Sequence, residues 1–349
     1  MLDIAIAGGG LTGLALARAL EQKGFDYCLF EARDRVGGRI LSRQCRLPNI
    51  SVDLGPTWYW PDTQPAMVQL VSELGLTSFP QYDDGTLWVL TDPDQEPRKL
   101  ENETLHAGAL RIAGGMARIT EAIVAELPPI RIAVSNVLTS VQDMRTHVEM
   151  VFSTGRGEIR RVARRVVLAM PPRLIEEHIR FIPALPDEVQ RALLARPTWM
   201  AQQAKAVVVY GSDADFRARV GSGNAFVHHE QAVLCEVFDA SGKDRGTAAL
   251  GGFLALPARV RARFAEGLEM LIASQFVQLF GPAVEAGVMH YQDWATEHFT
   301  CASLDRREDA TPPIRIPAIR ICGLNSGAGD SGLPALSSQR NKRDTWRAH

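Results

Sequence analysis

The stretch "DIAIAGGGLTGLALARALEQKGFDYCLFEARDRVGGR", Asp3 to Arg39, opens on a short apolar run, breaks at three glycines, and returns to a second apolar run that ends on an acid. Asp3–Ala7 reads as a strand, the glycines as a tight turn, "LALARALEQKG" as a helix with small residues on one face and Gly24 as its stop, and Tyr27–Glu31 as the next strand. Strand, glycine turn, helix and strand within about 30 residues make the βαβ unit of a doubly wound sheet. Gly8-x-Gly10-x-x-Gly13 falls where a dinucleotide-binding turn needs it. Gly8 permits the turn, Gly10 lets a pyrophosphate approach the backbone, and Gly13 lets the helix pack on the sheet. The helix N-terminus, with Leu11 and Thr12 at its start, favours the anion. Glu31 can accept from both ribose hydroxyls of an adenosine, with Ala32 and Arg33 beside it. A structural glycine turn without a ligand is the alternative.

The continuation "ARDRVGGR" bears on which dinucleotide is held. Arg33 or Arg35 could take the extra phosphate of NADP, but the acid at Glu31 would repel it. Gly37 and Gly38 let the backbone approach a second part of the ligand, and Arg39 can fork onto a phosphate. A solvated basic turn is the alternative here.

Around this stretch lie 349 residues, 46% of them hydrophobic, enough for one large domain or two interleaved ones. Lys plus Arg number 38 against 40 Asp plus Glu, so no global field draws in nucleic acid or an anionic membrane. Five cysteines (Cys28, Cys45, Cys235, Cys301, Cys322) form no CxxC pair and follow no secretory leader, which suits a reducing cytoplasm. No apolar run approaches the roughly 20 residues of a membrane helix. Among eight histidines only His228 and His229 are adjacent, without a ligand-spaced partner, so no metal is expected. The oligomeric state stays open.

Farther along, Pro65–Leu76 spaces Met67, Leu70, Val71 and Leu74 as a helical face, and the polar tract Asp83–Glu103 reads as a turn-rich excursion. Gly114–Pro129 reads as a helix, Val148–Pro172 as a hairpin feeding a buried strand at Val166–Ala169, and Ala204–Tyr210 and Ala248–Leu256 as strands. Val260–Gly281 reads as one long amphipathic helix. Two details suggest a site. "GPTWYW" sets three aromatics among turn residues, which either wall a pocket or pack in the core. Lys205 enters a strand of Ala and Val, where an ammonium is costly to bury without a partner, unless it snorkels to solvent.

Taken together, "IAGGGLTGLALARAL", "FEARDRVGGR", "VDLGPTWYW", "LRIAGGMARI", "VVLAMPPRL", "PTWMAQQAKAVVVY" and "YQDWATEHFT" resemble the flavin-containing amine oxidases of the monoamine oxidase type, from residue 2 to about residue 305. The "GPTWYWP" variant looks like a bacterial branch. The resemblance implies an α/β fold: a Rossmann-type FAD-binding domain (1–78, 107–175 and 290–349) interleaved with an α+β substrate domain (79–106 and 176–289). By position, Gly8, Gly10, Leu11, Thr12, Gly13, Glu31, Ala32 and Arg33 would hold the ADP half of FAD, and Gly37, Gly38 and Arg39 the pyrophosphate and flavin side. Gly55, Pro56, Thr57 and Trp58 would line the flavin or substrate face. Val137 would contact adenine through its backbone, unless it is a plain strand valine. Trp294 would pack near the flavin ring, and Lys205 would hold a water against flavin N5 as the catalytic residue. The family's covalent cysteine position is Ser303 here, with Cys301 out of register, so FAD is expected to be noncovalent.

The match breaks near the end. Only Ile321–Gly323 of "ICGLNSGAGDSGLPALSSQRNKRDTWRAH" fits the family, with Asn325 where an acid is usual and the aromatic of the last segment absent. Divergence with a rebuilt pocket and a shifted reading frame both account for this. The implied reaction is hydride transfer from an amine to flavin N5, giving imine and then aldehyde, ammonia and hydrogen peroxide, with dioxygen as acceptor. The rivals are a desaturase or nicotinamide-oxidising reaction on the same scaffold, and a flavin-binding protein inactivated by its altered end.

Overall fold

The structure, a computed structural model, describes residues 1–45, 50–83, 85–211, 220–244, 246–285 and 287–307. The closing segment, including Cys322 and Asn325, lies outside the described residues.

β1 (Leu2–Ala7), α1 (Leu11–Gln22) and β2 (Tyr27–Phe30) form the expected unit. α1 buries Gly13, Leu14, Ala17 and Leu20, one face at helical spacing. β1 runs parallel to β2 on one side and to Gly157–Leu168 on the other, Leu2 facing Ala163. The first sheet runs Arg180–Ile182, Asn136–Asp143, Val148–Thr154, Gly157–Leu168, β1, β2, Ile132–Ala133. A Cβ at Gly13 would lie 1.9 Å from the Gly8 carbonyl oxygen, so α1 seats on the turn only because residue 13 has no side chain. Gly13→Ala forces helix and strand apart. We expect a loss of about 2 kcal/mol, read as a lower urea midpoint at unchanged slope.

The second sheet runs Val288–Asp293, Ala204–Gly211, Ala248–Leu254, Leu234–Asp239, Ala225–Val227, Thr86–Leu90, Arg98–Glu101. The chain thus gives two strands to the second sheet, returns to the first, and then completes the second. This is a Rossmann-type unit interleaved with an α+β unit, as expected. Three local readings need correction. Val166–Ala169, read as buried, is only half-buried at the end of the strand Gly157–Leu168, and Val167 is exposed because that face is left open. The tract read as a turn-rich excursion carries the strands Thr86–Leu90 and Arg98–Glu101, because Leu87, Val89 and Leu90 are buried by pairing with the remote Ala225–Val227. The helix read across Val260–Gly281 is two, Ala258–Arg263 and Leu268–Phe280, and Gly267 caps the second.

Alternation along Ala204–Gly211 sorts its side chains to two cores. Ala204, Ala206 and Val208 join the core under the helix Leu268–Phe280, with Ile272 and Phe276. Val207 and Val209 join Leu41, Val52, Leu54, Phe238 and Trp294 on the opposite face. Lys205 shares their parity, and so turns toward the loop that follows Asp53. No helix among the described residues is long and apolar enough to cross a membrane.

Candidate functional site

The N-terminal half of the site is a pair of glycine turns set against an acid. Gly9 N donates to Glu31 Oε2 at 2.6 Å and Arg33 N to Oε1 at 2.9 Å, fixing a carboxylate that is buried. Backbone brackets it as well: Glu31 N donates to the Ala133 carbonyl and Asn136 N to the Glu31 carbonyl. Val137, half-buried, therefore stands one residue from a main-chain bond to Glu31. Gly37 N donates to the Gly9 carbonyl at 2.8 Å, and Gly38, at φ +58°, brings its Cα side against Gly10. At Gly10 an added Cβ would meet nothing within 4 Å, so the backbone faces open space at the N-terminus of α1. Leu11 is half-buried and Thr12 exposed in that first turn, and Ala32 is half-buried beside Glu31.

The three arginines have different tasks. Arg33 reaches Glu297 at 3.2 Å and the Thr300 hydroxyl at 2.7 Å, and lies over the Phe299 ring. Arg35 binds the carbonyls of Val36, Gly38 and Ile40 and so ties its own turn. Arg39, exposed, donates to the Trp199 carbonyl at 2.6 Å and pairs with no carboxylate among the described residues.

The other half centres on Lys205, 1% exposed. Its Nζ donates to the Gly55 carbonyl at 3.0 Å and to the Thr57 hydroxyl. The rings of Phe238, Phe253 and Trp58 stand 4.9, 5.1 and 5.4 Å from it. Burial pushes this ammonium down to about 7; Asp53 pulls it back up, Arg111 lowers it and Glu236 raises it. The result is an amine that exchanges its proton near neutral pH, a property met at reactive sites. Asp53 itself is pushed up by burial, against the Ser42 hydroxyl that holds it charged.

Two glycines make this box. A Cβ at Gly55 would sit 2.0 Å from the Arg39 carbonyl oxygen, so Gly55 presses the loop Gly55–Trp58 between Arg39 and Lys205. A Cβ at Gly251 would sit 2.3 Å from Phe238 Cζ, so Gly251 leaves the Phe238 ring its place. Trp58 is a wall of the box: half-buried, its Nε1 bound to Gln81 Oε1 at 2.8 Å, its ring edge-on to Phe238 and stacked on His106. Trp60 is a tilted neighbour at 6.3 Å and Pro56 is exposed. Trp294 is buried and donates to the Leu54 carbonyl at 3.1 Å, steadying the chain just before Gly55. The sequence reading passed over Phe238, Phe253, His106 and Glu236. Phe253, Phe238 and Glu236 are placed by strand register, in which Lys205 faces Phe253 and Phe253 faces Glu236, and His106 by a loop bound to Asp83.

The sequence profile of the flavin-containing amine oxidoreductases matches residues 11–104 and 89–315, well over half of the chain. The chain belongs to that family. Among its relatives, a putative flavin-containing monoamine oxidase of Mycobacterium tuberculosis is 40% identical over 84 residues, 24% of this chain and 18% of the relative. Putrescine oxidase of Kocuria rosea is 39% identical over 83 residues, 24% of this chain and 17% of the relative. The aligned stretch thus spans under a fifth of these flavin-containing amine oxidoreductases. Over the whole fold, wild-type putrescine oxidase bound to putrescine superposes with a TM-score of 0.73 at 20% identity, covering 86% of this chain and 87% of that one. Cyclohexylamine oxidase from Brevibacterium oxydans superposes at 0.69 and 18% identity, with 86% of each chain covered. Beside the glycine turns the Gly10 backbone is open, and Glu31 offers an acceptor fixed by two amides.

Proposed function

We propose that this chain oxidises the C–N bond of a small-molecule amine to an imine with noncovalently held FAD, dioxygen accepting the two electrons as hydrogen peroxide and water hydrolysing the imine to aldehyde and ammonia. The observation that carries the reading is the buried Lys205, lowered to about 7 and boxed by three aromatic rings. Glu31 and the turns at Gly8–Gly13 and Gly37–Gly38 would hold the adenosine and phosphates, Arg39 the pyrophosphate, and Val137 the adenine edge. Gly55–Trp58 and Trp294 would back the ring system. Bound flavin supplies the two-electron acceptor that no side chain provides.

The chain's own residues set the conditions. Trp58, Phe238 and Phe253 keep water from the reacting carbon and favour a neutral amine in the pocket. Lys205, tethered to Gly55 and Thr57, positions a water and exchanges a proton with it. Cys301 supports noncovalent binding, since it is 1% exposed and burial pushes its thiol up to about 11. Ser303, at the family's attachment position, is bonded through N and Oγ to Glu177.

The test is the absorbance spectrum of the purified protein followed by anaerobic titration with a panel of primary amines. We expect a flavin spectrum, bleaching by at least one amine, and bleaching slowed about a hundredfold in Lys205→Met. A yellow protein bleached by no amine refutes the reading. Acid should leave the pellet colourless and the supernatant yellow.

A further inference from the structure

The segment between Ser78–Pro80 and Leu110–Ile112 ends in a turn built around Asp83, whose two carboxylate oxygens accept from Leu105 N at 2.9 Å and His106 N at 2.6 Å. Asn224 Nδ2 donates to the same carboxylate at 3.0 Å, so the turn is fastened to the second sheet. It delivers the His106 ring, 6% exposed, flat onto Trp58, with centroids 4.1 Å apart and planes 24° from parallel. His106 Nε2 lies 2.9 Å from Glu236 Oε1, and Nδ1 has no partner. The bond to Glu236, the stack on Trp58 and an edge contact with Phe238 at 6.0 Å therefore hold the ring.

Glu236 belongs to the row that contains Lys205. Two strand spacings, about 10 Å, separate their backbones on one face of the sheet, with Phe253 between. Trp58 spans this interval from above, 5.4 Å from Lys205 Nζ and in contact with His106.

We propose that His106 is a positioning residue for the Lys205 pocket: anchored at Glu236, it holds the Trp58 indole against the ammonium and so keeps bulk solvent, beyond the one water Lys205 positions, away from it. The proposal rests on the amine-oxidising reading for its purpose. The charged groups that face Lys205 are Asp53 on Ile50–Asp53, Arg111 on Leu110–Ile112 and Glu236 on Leu234–Asp239, and the readout must separate their effect from that of water.

The test is an NMR titration of the full chain as purified, following the lysine Cε resonance that Lys205→Met removes, with acrylamide quenching of tryptophan emission alongside. In His106→Ala the indole keeps its bond to Gln81 but loses the ring stacked on its face, bulk water enters, and the Lys205 midpoint rises by about one pH unit, tenfold in proton affinity. Quenching rises with it. His106→Gln keeps a donor for Glu236 but has no ring to stack, and shifts the same way; its far-UV spectrum confirms a folded chain. Glu236→Gln keeps an acceptor for Nε2 but removes a negative charge, so the midpoint falls. Opposite signs mark a clamp, whereas general loosening raises both. An unchanged midpoint in both His106 variants, or a rise in Glu236→Gln, overturns the proposal. The lysine signal is read whether or not any amine is oxidised, so failure of the proposed function leaves this test standing.

Discussion

Lys205→Met resists urea better than the parent chain at pH 7 and worse at pH 11. In the unfolded chain this lysine titrates near 10.5, and in the fold near 7. Between those values the unfolded chain binds the extra proton, so the parent gains stability as pH rises through the window and carries its full penalty below pH 7. At 1.36 kcal/mol per unit, the penalty at pH 7 is roughly 4 kcal/mol. Methionine removes it, but leaves the Gly55 carbonyl and Thr57 hydroxyl without their donor; with Gly55 half-buried, the cost sits at the low end, about 1 kcal/mol each. The net at neutral pH is a variant more stable by about 2 kcal/mol. Above pH 10.5 the lysine is neutral in both states and only the lost bonds remain. Urea midpoints of both proteins, stripped of flavin, from pH 6 to 11 should therefore cross. Parallel curves would mean that Lys205 is solvated in the fold.

On the proposed assignment of Glu31 to the adenosine ribose, Glu31→Ala weakens FAD binding by at least about a hundredfold. Each hydroxyl bond to a charged acceptor contributes about 1.5–3 kcal/mol, so losing two removes about 3–6 kcal/mol, and every 1.4 kcal/mol is tenfold. The variant also orphans Gly9 N and Arg33 N, the two amides that hold the carboxylate. Fluorescence titration of the stripped variant with FAD measures the affinity, and urea unfolding of the same sample separates cradle damage from lost ligand contacts. A dissociation constant within threefold of the parent would remove Glu31 from the adenosine site.

The part of the fold that is local in sequence was legible. Gly8–Gly13 and Glu31 sit within one βαβ unit, and their positions there follow from what a turn and a strand end permit. Lys205 stood out because a charge in an apolar strand demands a reason, and strand parity then decides which core it faces. The rest of the box lies beyond such reading. Phe238, Phe253 and Glu236 meet Lys205 through antiparallel register, which no short window reveals. His106 follows a tract whose polar composition resembled open turns, yet its first strand, Thr86–Leu90, is buried by a partner near residue 226. The helix at Val260–Gly281 was misjudged for a related reason: Gly267 fits a helical pattern in composition but acts as a cap.

The pairing of Leu2 with Ala163 sets a schedule for the newborn chain. At typical synthesis rates the first strand, joined to β2 on one edge, waits on the order of ten seconds for its other neighbour to leave the ribosome. During that interval an apolar strand presents bare amides and carbonyls to whatever else is nearby, the template from which misassembly grows. Slow growth temperatures and abundant chaperones should thus decide the soluble yield of this protein more than its final stability does.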